Sequence, residues 1–400
     1  MPTSPSAPNR LHALDNLRAT MMWLGIVLHV AVIHLEGPSP LPWHDDRSTP
    51  VADLLMGSIH AFRMPVFFIL AGFFVALLLE RRGLQAMVRN RLQRLALPFA
   101  VFWPPVYAAC GLAALLFLHR MQHGTWGLDR SLLPQGPSVP QGPSTMHLWF
   151  LWMLLWFSLL TAAAHWLLQR MPPTLPHALS QGVHRLGATP WGAIVLALPL
   201  AAVGSLYDDG LVKPSGLFLP PMAEWAHNGL FYGFGIVLYR HQKTLFALYQ
   251  RRWPLLAGAG LLCFLVAGAL LHRLAQTTQQ PTAPLAFWIA LAYNTCSWLW
   301  SFALIGLFLQ RLPLPRTWMT YLADSSYWVY LVHMPLTIGF GAWLFGLPLP
   351  ASAKMLANIL ATTAVCLASY HLCVRFTRIS TLLNGKRHVR TPSPQATHAS

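Results

Sequence analysis

Residues 54–80 read LLMGSIHAFRMPVFFILAGFFVALLLE, and within this run only His60, Arg63 and the terminal Glu80 can carry a charge. A helix needs about 20 apolar residues to cross a bilayer, so this run is long enough to span one. Nine further runs of the same character occur, at residues 16–36, 96–118, 147–168, 190–206, 224–239, 253–272, 285–309, 325–346 and 352–374. The pattern predicts an all-α fold, a polytopic membrane helix bundle of about ten transmembrane spans, in which the fifth and sixth are short enough to be broken or tilted.

The composition agrees with a lipid environment. Hydrophobic residues make up 55% of the 400 residues and charged residues only 10%, which is too little polar surface for a soluble fold of this size. The net charge of +16 is spread over short segments between apolar runs, so we expect membrane lipid, and no nucleic acid, as a partner. The five cysteines lie in apolar runs without zinc-site spacing and are predicted to be small core residues. Because nucleotide- and metal-binding motifs are absent from the sequence, we predict no bound metal and no permanently bound cofactor.

The distribution of Lys and Arg gives the bundle an orientation. With ten spans, 19 of the 27 Lys and Arg residues fall on the side of the two termini and 5 on the opposite side, while Arg18, Arg63 and Lys354 lie in or at the ends of spans. Basic loops stay in the cytoplasm, so both termini are predicted to be cytoplasmic. The polar segment 381–400 is predicted to be a disordered cytoplasmic tail.

The first apolar run contains an aligned set of ionisable residues. Arg18, His29 and Glu36 are 11 and 7 residues apart, which on a helix puts them within about 20° of one another, with His29 about 16 Å above Arg18 and Glu36 about 10 Å farther. Ionisable side chains inside a span are costly, so this stripe indicates a site, although Arg18 could snorkel and His29 could be a packing residue. Asp15, just before the run, is interpreted as an N-cap or as part of the site.

The second run has an ionisable pair on one helical face. His60 and Arg63 are three residues apart, in its outer half, at a depth close to that of His29. Arg63 is too far from either interface to snorkel easily and needs an anionic partner. The candidates are Glu36, a substrate carboxylate and the charge that develops on a reacting carbonyl.

Two later runs add candidates for the same site. In the ninth run Ser326, Tyr330 and His333 are spaced by four and three residues and so share a face. His147 and Trp149 open the fourth run at its outer surface. Tyr and Trp also favour membrane interfaces without any functional role, so His333 and His147 are the more informative residues.

Together these segments resemble a known family. The similarity is spread over LDNLRATMMWLGIVLHV (14–30), HAFRMPVFF (60–68) with AGFF (71–74), HLWFL (147–151), and SSYWVYLVHMPLT (325–337) with FGAW (340–343). They resemble the acyltransferase type 3 family of integral membrane acyltransferases, in particular the subgroup that succinylates periplasmic glucans. The most specific element is the Arg18-to-His29 spacing.

The resemblance implies one integral membrane acyltransferase domain over residues 1–380, in the bacterial inner membrane. It implies transfer of a succinyl or other short acyl group from cytoplasmic acyl-CoA, with succinyl-CoA as the expected donor, to hydroxyls of a periplasmic glucan. The expected catalytic residues are His29, Arg63 and Glu36. The expected substrate-binding residues are Arg18, Asp15, His60, His147, Trp149, Ser326, Tyr330 and His333.

The residue chemistry suits such a transfer. Arg18 and the arginines after the second run could bind the phosphates of coenzyme A. His29 could take the proton of the sugar hydroxyl as a general base, which we favour, or could itself accept the acyl group. Arg63 could hold the thioester oxyanion or, with a succinyl donor, its free carboxylate.

Three other functions are compatible with the pattern. The enzyme could transfer acetyl groups to another surface polysaccharide or to a lipid-linked sugar. A transporter of a glycan, lipid or small anion could use the same polar stripe, although no internal repeat is evident. A non-catalytic partner of a glycan-synthesis complex would leave the alignment of Arg18, His29 and Arg63 unexplained.

Overall fold

A computed structural model describes residues 7–132, 143–170, 172, 174–276, 283–314 and 316–385, and these residues contain helices and no strand. The remainder of the predicted tail, from 386 onward, lies outside the described residues. The α-helices are α1 Ala7–Ala31, α2 Pro50–Arg91, α3 Leu97–His123, α4 Trp149–Leu168, α5 Thr174–Ala188, α6 Gly192–Gly204, α7 Met222–Arg240, α8 Gln242–Gln276, α9 Ala283–Arg311, α10 Thr317–Leu344, α11 Ala351–Ser369 and α12 Arg378–Asn384.

Several of these helices are long and apolar enough to cross a membrane. In the described part of the chain six stretches meet this condition: Leu11–His34, Pro50–His123, Met146–Leu168, Gln242–Gln276, Ala283–Arg311 and Ala351–Val374. The fifth predicted run corresponds to the short helix α6, which is joined to α5 at an angle of 111° and gives a seventh span if the bent pair counts as one. The prediction of a multi-pass helical membrane protein is confirmed, and the count of ten stays a prediction.

Two glycines bring α2 and α7 into backbone contact. A Cβ on Gly72 would collide with the backbone carbonyl of Tyr232, and a Cβ on Gly235 would collide with that of Ile69. The two positions are reciprocal, so each helix presents its glycine to the backbone of the other. Close approach of this kind is how helices associate in lipid, where no hydrophobic force drives them together. It fixes α2, which provides His60 and Arg63, against α7.

A buried lysine anchors the loop between α1 and α2. Lys354 of α11 is fully buried, and its Nζ lies 2.8 Å from Asp45 Oδ1 and 2.6 Å from Asp46 Oδ1. Asp45 is buried as well, and its backbone N–H donates to the carbonyl of Ile33. The two carboxylates share one ammonium, but only Asp45 is fully buried, because Asp46 is partly exposed and also lies 4.0 Å from Arg47 Nε.

This anchor predicts a pH dependence of stability. Burial and the hydrogen bond to Asp46 raise the pKa of Asp45 to about 6. Burial acts against ionisation of Asp46, but its hydrogen bonds to Asp45 and Lys354 lower its pKa to about 2. The folded state therefore binds the Asp45 proton more tightly than the unfolded chain, and stability falls as pH rises through about 6. Asp45→Asn should flatten the pH dependence of the melting temperature of the detergent-solubilised protein between about pH 4 and pH 6.

The matched control for this prediction is Asp129→Asn, because Asp129 lies in another loop and its hydrogen bonds to Ser131 lower its pKa, away from the tested range. Asp129→Asn should keep the wild-type slope. An Asp45→Asn protein whose melting temperature falls with pH as steeply as the wild type would contradict the assignment.

Two predictions about the ends and the cysteines are wrong in part. The segment predicted as a disordered tail from residue 381 begins inside α12, because Arg94 donates to the carbonyls of Thr381 and Leu382 and Leu383 is buried. Cys110, Cys296 and Cys366 are buried as predicted, whereas Cys263 is half-buried and Cys373 is exposed.

Candidate active site

Side chains from five separate parts of the chain line one cavity. It lies between α1, α2, α10, the start of α4 with the turn before it, and the loop before α7. The predicted site residues that line it are His29, His60, Arg63, His147, Trp149 and Tyr330. We call this space the histidine cavity. The sequence could place each residue on a helix, and the fold brings them together.

Three imidazoles form a chain at the histidine cavity. The ring centroids of His29 and His333 are 5.2 Å apart, and those of His333 and His147 are 5.3 Å apart. His29 is half-buried, and none of the hydrogen bonds in the described part of the chain engages its ring. An imidazole without a protein partner, open to a cavity, is available to a ligand.

The other two histidines are oriented by backbone carbonyls. Nδ1 of His333 lies 2.9 Å from the carbonyls of Val329 and Tyr330, so this nitrogen donates and Nε2 keeps its lone pair. Nε2 of His147 lies 3.3 Å from the Leu331 carbonyl, which leaves the lone pair on Nδ1. Both free nitrogens, Nε2 of His333 and Nδ1 of His147, are buried without a protein partner. Unsatisfied buried acceptors of this kind suit a ligand that donates hydrogen bonds.

Arg63 lies across α1 and has no carboxylate partner among the described residues. Its Nε donates to the backbone carbonyl of Met21 at 2.8 Å, and its guanidinium stacks on Phe67 at 5.6 Å. The side chain is 6% exposed. The predicted alternative of a structural pair with Glu36 is wrong. A buried cation held by a carbonyl oxygen keeps its charge available for an anion.

Gly25 makes room for this arginine. An ideal Cβ on Gly25 would lie 2.6 Å from Arg63 Nη2 and 3.5 Å from His333 Nε2. The absence of a side chain one turn below His29 is therefore what lets the guanidinium reach the surface of α1.

Gly25→Ala should displace the guanidinium by a few tenths of an ångström or more and lower the catalytic rate by about ten- to a hundredfold, because small misplacements at a reacting centre are costly. The rate of the purified protein in the reaction proposed below measures this. Gly111→Ala is the control, since a Cβ there would meet open space. Equal rates for the two variants would contradict the positioning role of Gly25.

The N-terminal half of α1 carries a charged pair. Arg18 and His29 lie in one uninterrupted helix, so the predicted alignment on one face holds. Arg18 is exposed, pairs with Asp15 at 3.1 Å and lies over the Phe74 ring at 5.8 Å. Asp15 is not an N-cap, because α1 already begins at Ala7.

Two further candidates lie apart from the cavity. Glu36 is exposed and outside the helix, because α1 ends at Ala31 and Asp53 then binds the backbone N–H groups of Glu36 and Gly37. The predicted stripe is therefore wrong at its outer end. The Ser326 hydroxyl donates to the carbonyl of Ala323 within α10. His147, predicted at the outer surface, is buried against Tyr330 and His333.

A second cavity adjoins the first and was not predicted. It shares His60, Met64, Trp149 and Pro214 with the histidine cavity. Its other polar side chains include Glu224, His227 and Asn228 of α7 and Asn294 of α9. The spacing of three and four along AEWAHNG could have identified the α7 group as polar residues on one face of an apolar run.

Comparisons with known proteins agree over nearly the whole chain. A family described as "Acyltransferase domain", the acyltransferase 3 family, matches residues 11–378. Similar relatives carry the name glucans biosynthesis protein C. The protein of this name from Escherichia coli O6:K15:H31 is 23% identical over 404 residues, which cover 98% of this chain and 99% of the relative. The one from Salmonella paratyphi A is 24% identical over 406 residues, with the same coverage. No solved structure matches the chain.

Proposed function

The chain belongs to the acyltransferase 3 family of membrane acyltransferases, and from this premise we propose that it moves a short acyl group, with succinyl as the first candidate, from cytoplasmic acyl-CoA to hydroxyls of a periplasmic glucan. The observation that carries the proposal is that His29 and Arg63 line one cavity. Among the described residues, the His29 ring has no hydrogen-bond partner and the buried Arg63 has no carboxylate partner. The names of the relatives support the glucan as acceptor.

We further propose ten membrane crossings with both termini in the cytoplasm. Each of the ten apolar runs contains or overlaps one helix of the structure. The 74-residue stretch Pro50–His123 is far longer than one bilayer and has a non-helical residue, Gly83, inside it, which supports two crossings there. A helical multi-pass chain suits an inner membrane, because proteins that span the outer membrane are barrels.

In the proposed reaction His29 is the general base. It takes the proton of the acceptor hydroxyl while the hydroxyl oxygen attacks the thioester carbonyl, and Arg63 stabilises the oxyanion that forms. When the tetrahedral intermediate breaks down, the carbon–sulfur bond cleaves, and the leaving thiolate receives the proton from His29. The products are an ester and free coenzyme A. His333, whose Nε2 keeps its lone pair, accepts a hydrogen bond from a hydroxyl group of the acceptor.

The donor is proposed to enter from the cytoplasmic side. Arg18 is exposed there, and Arg91 lies close enough for the two positive charges to interact. Together they suit the phosphates of coenzyme A, with Asp15 holding Arg18 in place. About 16 Å of helix separates Arg18 from His29, a distance that the long pantetheine arm of the donor would cover.

Thiol release tests the proposal against a carrier. Purified protein in lipid nanodiscs is mixed with succinyl-CoA, acetyl-CoA and a neutral glucan, and free thiol is measured alongside mass spectrometry of the glucan. Acceptor-dependent thiol release with a succinyl mass increment supports the proposal. An acetyl increment would move the donor assignment to acetyl-CoA. No thiol release with either donor, combined with uptake of glycan or anion into vesicles, would favour a transporter.

A further inference from the structure

The cavity beside the histidine cavity is lined by several polar side chains, although it lies inside an apolar helix bundle. Glu224 is 2% exposed, and Asn228 and Asn294 are equally inaccessible from outside the protein. We call this space the Glu224 cavity. Burying a carboxylate and two amides in a membrane protein costs free energy, so these groups need either internal partners or a ligand.

Hydrogen bonds within the fold hold these side chains in place. The Asn294 amide donates to the carbonyl of Ala290 at 2.8 Å, which leaves its oxygen to accept from His227 Nε2 at 3.0 Å. Nδ1 of the His227 ring lies 3.4 Å from Asn228 Oδ1, so the ring is held between the two asparagines. Glu224 accepts from the backbone N–H of Ser215 at 2.7 Å. The cavity thus offers an ordered set of acceptors and amide donors.

The two cavities differ in charge. Arg63 lines the histidine cavity, whereas the residues that line the Glu224 cavity include no Arg or Lys and one acid, Glu224. The nearby Lys213 is largely exposed and paired with Asp209. An anionic acyl group or a phosphate would be repelled from Glu224 and attracted to Arg63. A neutral ligand with many hydroxyl groups would donate to the carboxylate and amide oxygens, and the Trp149 ring offers it an apolar face.

The loop before α7 covers the Glu224 cavity from one side. Leu211 and Pro214 of this loop line it. The loop is attached to the start of α4, because Thr145 donates twice to the Gly216 carbonyl and Trp152 donates to that of Phe218. In the proposed topology this is the outer face, where the acceptor arrives.

We propose that the Glu224 cavity is the acceptor subsite, that it binds a neutral polyhydroxyl unit such as a glucosyl residue, and that it directs one hydroxyl past His60 to His29. This assignment rests on the proposed acyltransferase function. It makes Glu224 and Asn228 binding residues for the acceptor and leaves the donor to Arg63 and Arg18.

Glu224→Gln is the central variant. Glutamine keeps the oxygen that accepts from Ser215, so the loop should stay in place, while the charge that strengthens hydrogen bonds from hydroxyl groups is removed. We expect the KM for a neutral glucose oligosaccharide to rise by about 10- to 100-fold, the loss of a hydrogen bond to a charged group, and the KM for acyl-CoA to stay within about twofold. Asn228→Leu, of similar volume, should act in the same direction.

The control is Glu80→Gln, the same chemical change at an exposed residue of α2. Oligosaccharide binding without donor, measured by isothermal titration calorimetry on wild type and variants, separates this inference from the proposed function. Wild-type binding that is weakened in Glu224→Gln and Asn228→Leu supports the subsite even if no thiol is ever released. Absence of wild-type binding, or equal binding by wild type and both variants, overturns it, as does an equal rise in the KM for acyl-CoA.

Discussion

His29→Ala is expected to lower the rate of acyl transfer by at least about a thousandfold while acyl-CoA still binds. A positioned general base contributes about 10²- to 10⁴-fold to a reaction, and the loss also removes the group that returns a proton to the leaving thiolate. His333 and His147 also keep a lone pair, but backbone carbonyls fix their rings, so neither ring can turn into the position of His29. Single-turnover thiol release at saturating acyl-CoA measures the effect without interference from product release.

The control for this variant is His44→Ala, in the exposed loop after α1. His44→Ala should keep the wild-type rate. Transfer by His29→Ala within a few fold of wild type would remove His29 from the mechanism. Intact-protein mass spectrometry after mixing with acyl-CoA alone distinguishes the two roles, since an acyl adduct that is lost in His29→Ala would indicate an acyl-histidine intermediate instead of a general base.

Arg63→Lys is expected to lower transfer by about a hundredfold or more. Arginine uses Nε to bind the Met21 carbonyl and still presents its terminal nitrogens to the cavity, whereas the single ammonium of lysine cannot do both. Loss of one donor that stabilises an oxyanion costs about 10²- to 10³-fold. Rates with succinyl-CoA and acetyl-CoA, measured side by side, show whether Arg63 binds the carboxylate of the acyl group or the oxyanion.

A loss confined to succinyl-CoA would assign Arg63 to the carboxylate of the acyl group, and an equal loss with both donors would assign it to the oxyanion. Arg130→Lys, on an exposed loop, is the control. Near wild-type rates with both donors would contradict either role, and would indicate that the buried guanidinium serves packing alone.

The positions of the helices along the chain could be predicted from the sequence better than the contacts between the helices. All the apolar runs overlap helices, because hydropathy over about 20 residues reports lipid contact directly. The alignment of Arg18 with His29 could be predicted since α1 is continuous. The position of Glu36 could not, because α1 ends at Ala31 and Asp53, a residue of the next helix, binds the backbone N–H groups of Glu36 and Gly37.

The Glu224 cavity shows a different limit of sequence reasoning. Its polar residues lie on α7 and α9 and face His60 of α2 only because α7 packs closely on α2. That contact involves residues more than 150 positions apart, and no local pattern contains it. Likewise, Gly25 is unremarkable in sequence, and its role depends on the path of the Arg63 side chain.

The reciprocal glycine contacts between α2 and α7 also bear on how material crosses this protein. Carriers commonly work by rocking one helical bundle against another around a central ligand. Here α2 and α7 are in direct backbone contact at Gly72 and Gly235. At these two positions no side chain lies between the helices that could rearrange to let them slide. Residues of α2 line both cavities, and residues of α7 line the Glu224 cavity. A fixed frame of this kind leaves little freedom for a pump-like motion, and it suits the proposed reaction, in which donor and acceptor arrive from opposite faces.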